Sequence, residues 1–210
     1  MATLRIAFTK TGTARYMSHL DLNRAFIRAL ARAGWALAYS EGFNPHPRLA
    51  FTMPLPLGVG SLAEFADVRV VDERAPEELA ALLAAQLPAG LGLSRVYVPL
   101  APLSAMAMAD YEISLPGADA AAVEGLLSGA AVISKRTKSG TRDTDVTALI
   151  VSKSVRACGE GAVLEARLMA REGAYLNPEH LASHIRSHLG TPPGGIVKLA
   201  ALAADGEAFG

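Results

Sequence analysis

Residues 99–108 (P-L-A-P-L-S-A-M-A-M) limit the fold more than any other stretch: they form a low-charge Pro/Ala/Met connector with similar hydrophobic patterns on either side. Connectors of that composition separate domains. Before it, residues 3–9 alternate weakly, as a strand does, and residues 18–34 carry the apolar period of a helix. Residues 49–57 are apolar but broken by Pro54 and Pro56, which fits an edge strand or a covering loop. Residues 62–71 alternate again, Pro76 opens a helix with Glu77 and Glu78 at its positive end, and residues 93–98 form a closing strand. After the connector, strands fall at 111–115, 131–135, 163–170 and 196–203 and helices at 118–127 and 178–189, with 146–155 ambiguous. The expected fold is α+β: two tandem ferredoxin-like units, each β-α-β-β-α-β, spanning residues 1–100 and 109–204.

With 210 residues, 51% of them apolar, the chain can bury a substantial core. Its one cysteine, Cys158, excludes an internal disulfide and any multi-cysteine metal or cluster site. No apolar run approaches the roughly 20 residues of a membrane span, and the chain opens on a strand-like segment where a signal peptide would stand. A cytoplasmic protein with no membrane partner is expected. The formal charge is zero but uneven: residues 1–60 hold seven Lys/Arg against two Asp/Glu, and residues 61–130 hold three against ten. A basic and an acidic face of this kind suit an anionic polymer on one side and a protein partner on the other.

The most constrained stretch runs from residue 16 to 58. Ser18 can cap the first helix, and Asp21, three residues on, completes a capping-box-like pattern. Leu20, Phe26, Ile27, Leu30 and Ala33 form its apolar face, while Arg24, Arg28 and Arg32 make a basic stripe on the opposite side. His19 and Asn23 fall on the apolar side, where polar groups need partners. The loop at 40–48 (S-E-G-F-N-P-H-P-R) is stiffened by Gly42, Pro45 and Pro47, so it presents Phe43, Asn44 and His46 at little entropic cost. If residues 35–39 pair beside residues 3–9, as in a β-α-β crossover, the loop returns to the helix start. His19, Asn23, Asn44 and His46 then meet, as a structural clasp or as a site.

Lys10, Arg15 and Arg48 flank that stretch, and Lys135, Arg136, Lys138 and Arg142 lie in a charged hairpin-like loop at 135–145. With the helix stripe these are the candidate contacts to RNA or a protein partner. No phosphate-binding loop, dinucleotide fingerprint, nucleophile elbow or zinc-protease helix occurs. For an enzyme, His19 or His46 is the general acid/base candidate, with Lys10, Arg15 or Arg48 stabilising developing charge. His180, His184 and His188 share a stripe on the last helix, but no carboxylate or cysteine completes a metal set, so a weakly packed histidine face is expected. No metal and no cofactor is assigned.

At S-H-L-D (18–21), R-A-L-A-R-A-G (28–34), Y-S-E-G-F-N-P-H-P-R (39–48) and P-L-P-L-G (54–58) the chain resembles the radical-SAM-linked protein family, a bacterial domain of unknown function. Ser61, Glu64 and Asp67 of S-x-x-E-F-x-D fit as well, whereas Ala31 stands where relatives often carry another arginine. The family occurs alone or fused behind a radical SAM protein, which implies an accessory role beside such an enzyme and supplies no catalytic residues. The chain cannot itself hold a radical SAM cluster, which needs three cysteines. The tandem architecture is also similar to that of CRISPR repeat-processing endoribonucleases, an analogy of fold alone. The expected function is a non-catalytic module that binds RNA or presents a substrate to a radical SAM partner. The alternatives are a protein–protein adaptor without RNA binding, or a metal-independent endoribonuclease using His19 and His46.

Overall fold

The computed structural model describes residues 1–137 and 140–210. They divide into two compact units, Met1–Met106 with Ala208–Gly210, and Ala107–Glu207. The boundary thus falls inside the 99–108 connector, and the last three residues join the first unit. The fold is α+β, with four α-helices among the described residues.

The first unit runs β1 (Ala2–Lys10), α1 (His19–Arg32), β2 (Leu49–Phe51), β3 (Gly60–Val70), α2 (Pro76–Ala84) and β4 (Leu91–Tyr97). Its strands lie in the order β4-β1-β3-β2, antiparallel at each pairing. Because side chains alternate along a strand, Leu4, Ile6 and Phe8 share one face with Ala66, Val68 and Val70. That face packs on Phe26 and Leu30 of α1 and on Leu79 and Leu83 of α2. Phe8 meets Phe26 at 4.7 Å between ring centroids, and buried Trp35 donates its indole N–H to the Leu79 carbonyl at 3.1 Å. Each such side chain contributes about 1.5–3 kcal/mol by leaving water. Thr3, Arg5, Asp67 and Arg69, at the alternate positions, are left on the opposite face.

Two expectations about this unit need correction. Leu20 is more than half exposed, and Leu22 takes its place in the core. The buried stripe Leu22-Phe26-Ala29-Leu30-Ala33 is centred well away from the angle of Leu20. Residues 35–39 do not pair beside β1, which already has β3 and β4 on its two edges and no free hydrogen-bonding side. They run along the end of β3 instead: the Ala38 N–H donates to the Arg69 carbonyl at 2.9 Å and the Val71 N–H to the Ala36 carbonyl at 2.8 Å. Asp72 pins this turn by accepting from the Ala36 N–H at 3.0 Å. The hydrogen-bonded Arg74 guanidinium holds the Asp72 carboxyl well below the usual carboxylate range.

The second unit runs β5 (Met106–Pro116), α3 (Ala120–Ser128), β6 (Val132–Thr137), β7 (Gly140–Asp145), β8 (Ile150–Cys158), β9 (Gly161–Arg171), β10 (Ala174–Tyr175), α4 (Pro178–Leu189) and β11 (Ile196–Ala203). β11, β5 and β9 are neighbours in that order, and both β8 and β10 pair with β9. The strand expected at 131–135 is one arm of a separate hairpin with β7. The strand that extends the sheet is β8, drawn largely from the ambiguous stretch. Asn177 caps α4 by accepting from the Glu179 N–H at 2.9 Å, and Gly190 ends it at φ 67°.

Candidate functional site

On the face of the first sheet that points away from the helices, register builds two cross-strand rows. Arg5 stands opposite Asp67, which stands opposite Ala50. One pleat along, Thr3 stands opposite Arg69, whose N–H donates to the Arg48 carbonyl at 2.9 Å. Residues 99–104 of the connector complete a pocket of about 780 Å³ over these rows. Arg5 fastens that roof. Its guanidinium grips Asp67 through both oxygens at 2.7 and 2.9 Å and donates to the Ala101 carbonyl at 2.7 Å. Phe209 packs over the same guanidinium at 4.8 Å and meets Phe65 edge-on, so Arg5 is almost wholly buried.

Both oxygens of Asp67 are therefore engaged, and it is the one carboxylate in the lining. Arg48 and Arg69 have no ion-pair partner among the described residues, so the lining carries two uncompensated cations. Ala50, Leu100 and Leu103 supply apolar surface, and Leu100 is fully exposed at the rim. The arrangement is suited to holding a ligand. Its hydroxyls, Thr3 and Ser104, have no imidazole or free carboxylate in the lining to activate them.

A second polar group lies inside the unit, at the far end of β1. Lys10 pairs in register with Ser61, donates to the Met17 carbonyl at 3.0 Å and is 2% exposed. Ser61 donates to a buried Glu64 oxygen at 2.9 Å. Burial pushes the Lys10 ammonium below lysine's ordinary 10.5, against the opposing pull of Glu64. Lys10 is thus no surface contact for RNA: the register of β1 against β3 turns it inward. The unfolded chain binds this proton more tightly than the folded one, so stability rises with pH between the folded value and 10.5. Replacing the pair as Lys10→Met with Glu64→Gln is expected to flatten that rise, read from urea denaturation at about pH 8 and pH 10. An unchanged slope would show that Lys10 does not titrate as placed.

The other sequence candidates are scattered. Ser18 accepts from the Asp21 N–H at 3.1 Å and donates to its carboxylate at 2.7 Å, completing the expected cap. His19 is exposed with its ring edge-on to Phe51 at 5.6 Å, and Asn23 buries a carbonyl oxygen that finds no partner among the described residues. His46 takes its bonds inside its own loop, from its N–H and through Nδ1 to the Ser40 hydroxyl at 3.1 and 2.9 Å. Among the described residues no hydrogen bond joins His19 or Asn23 to Asn44 or His46. The clasp fails because residues 38–48 close on themselves, with the Ser40 N–H on the His46 carbonyl and the Arg48 N–H on the Ala38 carbonyl. Gly42 at φ 117° turns the loop tip, where Phe43 is fully exposed beside exposed Asn44 and Pro45, and Pro47 bridges to Tyr39.

The helix stripe is diluted too. Arg24 lies 3.7 Å from Asp21, Arg32 donates to the Gln86 side chain and carbonyl at 3.2 and 2.7 Å, and Arg28 alone stays without a partner among the described residues. Arg15 stacks on Tyr16 and donates to its hydroxyl at 2.8 Å. Lys138 lies outside the described residues, as do the side chains of Lys135, Arg136 and Arg142. On α4, the His184 and His188 rings lie 4.3 Å apart, tilted by 51°, and burial followed by the His188 charge lowers the His184 pKa. No group of three or more His, Cys, Asp or Glu side chains among the described residues could hold a metal ion.

Arg5 and Arg69, two builders of the pocket, carry no motif that marks them in the sequence. The available signal was alternation: both sit between core positions of a strand, and Asp67 belongs to the S-x-x-E-F-x-D motif. Among solved structures, a chain of the crystal structure of a Cbf5-Nop10-Gar1 complex superposes with a TM-score of 0.53 at 11% identity, over 94% of this chain and 48% of that one. The present chain spans about half of that chain's length, and the likeness is one of fold alone. No curated protein matches the sequence. The family model described as an uncharacterized protein conserved in bacteria (DUF2344) matches residues 3–178, and the chain belongs to that family.

Proposed function

We propose that this chain is a non-catalytic, cytoplasmic accessory module that presents a substrate to a radical SAM enzyme. The observation that carries the reading is the pocket on the first unit: a ligand-sized space with free cationic groups and no activated nucleophile or base. The radical SAM partner rests on the sequence motifs at 18–21, 39–48 and 54–58. A tandem ferredoxin-like architecture is part of the proposal, supported by a correspondence between the units. With the separate β6–β7 hairpin set aside, both run first, third and second strand in one order, β1-β3-β2 and β5-β9-β8. Each also ties its first strand to its third by a bidentate Arg–Asp pair, Arg5–Asp67 and Arg167–Asp110.

Substrate presentation is favoured over RNA binding because, within the first unit, Arg24 and Arg32 meet partners on their own surface and Lys10 is buried, which thins the expected basic track there. No observation favours the endoribonuclease alternative: His19 lies against Phe51 and His46 bonds within its loop. Affinity capture with the full chain from nuclease-treated bacterial lysate is expected to recover a radical SAM protein. Persistence of that complex at about 0.5 M salt would mark an apolar interface, since a phosphate-mediated one weakens steeply with salt. Loss of the complex on nuclease treatment alone would restore the RNA reading, and capture of no radical SAM protein would sink the proposal.

A further inference from the structure

We propose that the pocket takes a phosphate monoester with an apolar body, its phosphate clamped between Arg48 and Arg69. The proposal rests on reading the pocket as the substrate-presenting site. Arg48 and Arg69 are direct cross-strand neighbours, fixed by the 2.9 Å backbone bond between them and by the adjoining Leu49–Val68 pair. Side chains so placed share one face, with Cβ atoms about 4.5–5.5 Å apart, and like charges there weaken the sheet. Elsewhere on the same face nature has matched the charge: Arg5 stands directly opposite Asp67. At Arg69 and Arg48 no carboxylate compensates among the described residues, so the missing counter-charge is one a ligand brings.

The size of that charge is set by the lining. Asp67 is neutralised by Arg5, which leaves two positive charges, matching the roughly −1.5 to −2 of a phosphate monoester at neutral pH. Paired guanidiniums also suit phosphate oxygens geometrically, through parallel N–H donors. Ala50, Leu100 and Leu103 then offer apolar surface to the rest of the ligand. No aromatic ring lines the pocket, so it lacks the stacking platform that single-stranded nucleic acid uses.

The test is a ¹H–¹⁵N NMR titration of the full chain near pH 7.5 with phenyl phosphate, inorganic phosphate, phenylacetate and benzyl alcohol. Phenyl phosphate is expected to shift Leu49, Ala50, Leu100 and Ala101 with the lowest Kd, roughly millimolar. Inorganic phosphate and benzyl alcohol, each offering half of the chemistry, are expected to bind about tenfold more weakly or worse. Arg48→Ala and Arg69→Ala, which remove only side chains without ion-pair partners among the described residues, should each weaken phenyl phosphate about tenfold with the spectrum otherwise preserved. Phenyl phosphate binding unchanged in both variants overturns the clamp. Phenylacetate binding as tightly overturns the phosphate assignment while leaving a substrate pocket in place. If no probe shifts the pocket resonances, the ligand proposal falls, and the radical SAM partnership is judged by the capture experiment alone.

Discussion

Asp67→Ala is expected to destabilise the first unit by ~3 kcal/mol, near the low end of the range for breaking a buried ion pair. The effect comes from what is left behind. Arg5 has a side chain only 2% exposed, is roofed by the connector and Phe209, and loses both charge-assisted bonds at once. Its remaining bond to the Ala101 carbonyl cannot balance a full charge held away from water. Asp67 is itself 16% exposed, so some solvent can relax around the vacated carboxylate, which keeps the cost from the upper end of the range. Replacing both partners with apolar residues, Arg5→Met with Asp67→Leu, should recover most of the loss, because an apolar pair has no unpaired charge to bury. Urea denaturation of the single and double variants gives the coupling directly. A Asp67→Ala variant within about 1 kcal/mol of wild type would show that the pair is not buried as the geometry places it.

That pair also marks where sequence reading stops. Strands β1, β3 and β4 and helices α1, α2 and α4 announced themselves through periodicity and caps, because each buries one face on a local repeat. The proline-broken segment after Arg48 resolved as expected of such a sequence: only Leu49–Phe51 pairs with β3 before the prolines end the strand. β8 stayed ambiguous for a physical reason. It is an edge strand that is mostly exposed on both faces, so I-V-S-K-S-V-R-A-C shows no steady alternation. The placement of residues 35–39 failed for another reason: which strand edge is free depends on β4, more than fifty residues later.

The pocket was less legible still. Its parts come from positions 3, 48–50, 67, 69 and 99–104, and they meet only once register is fixed. Arg48 was identified from its loop, but its significance depends on facing Arg69, an arginine that reads in sequence as an ordinary exposed strand residue. The histidines drew attention because their chemistry is versatile, and the structure gives His19 and His46 local partners instead. The motif residues Ser61, Glu64 and Asp67 were visible as a pattern without a role. The roles are now specific: Ser61 and Glu64 surround the buried Lys10, and Asp67 anchors Arg5 beneath the pocket roof.

Gly90→Ala is expected to destabilise the first unit by ~3 kcal/mol or more through combined backbone strain and overpacking. Gly90 ends the turn between α2 and β4 at φ 86°, a region that side chains disfavour. An added Cβ would also lie 2.6 Å from the Thr11 carbonyl oxygen and 2.8 Å from the Ala14 methyl. Neither neighbour is the loose end of a long side chain. Ala14 is buried, and the Thr11 N–H donates to the Gly90 carbonyl at 2.8 Å, so relief of the clash must pull that bond apart. The strand residue next to Thr11 is Lys10, so the displacement would reach the buried lysine as well. Gly12→Ala is the control in the same unit. Gly12 has φ 54° but open space around its Cβ position, so it should lose only the left-handed penalty of about 1–2 kcal/mol. Urea denaturation of the two variants separates strain from collision, and equal losses would mean that α2, β4 and the turn after β1 do not approach as closely as placed.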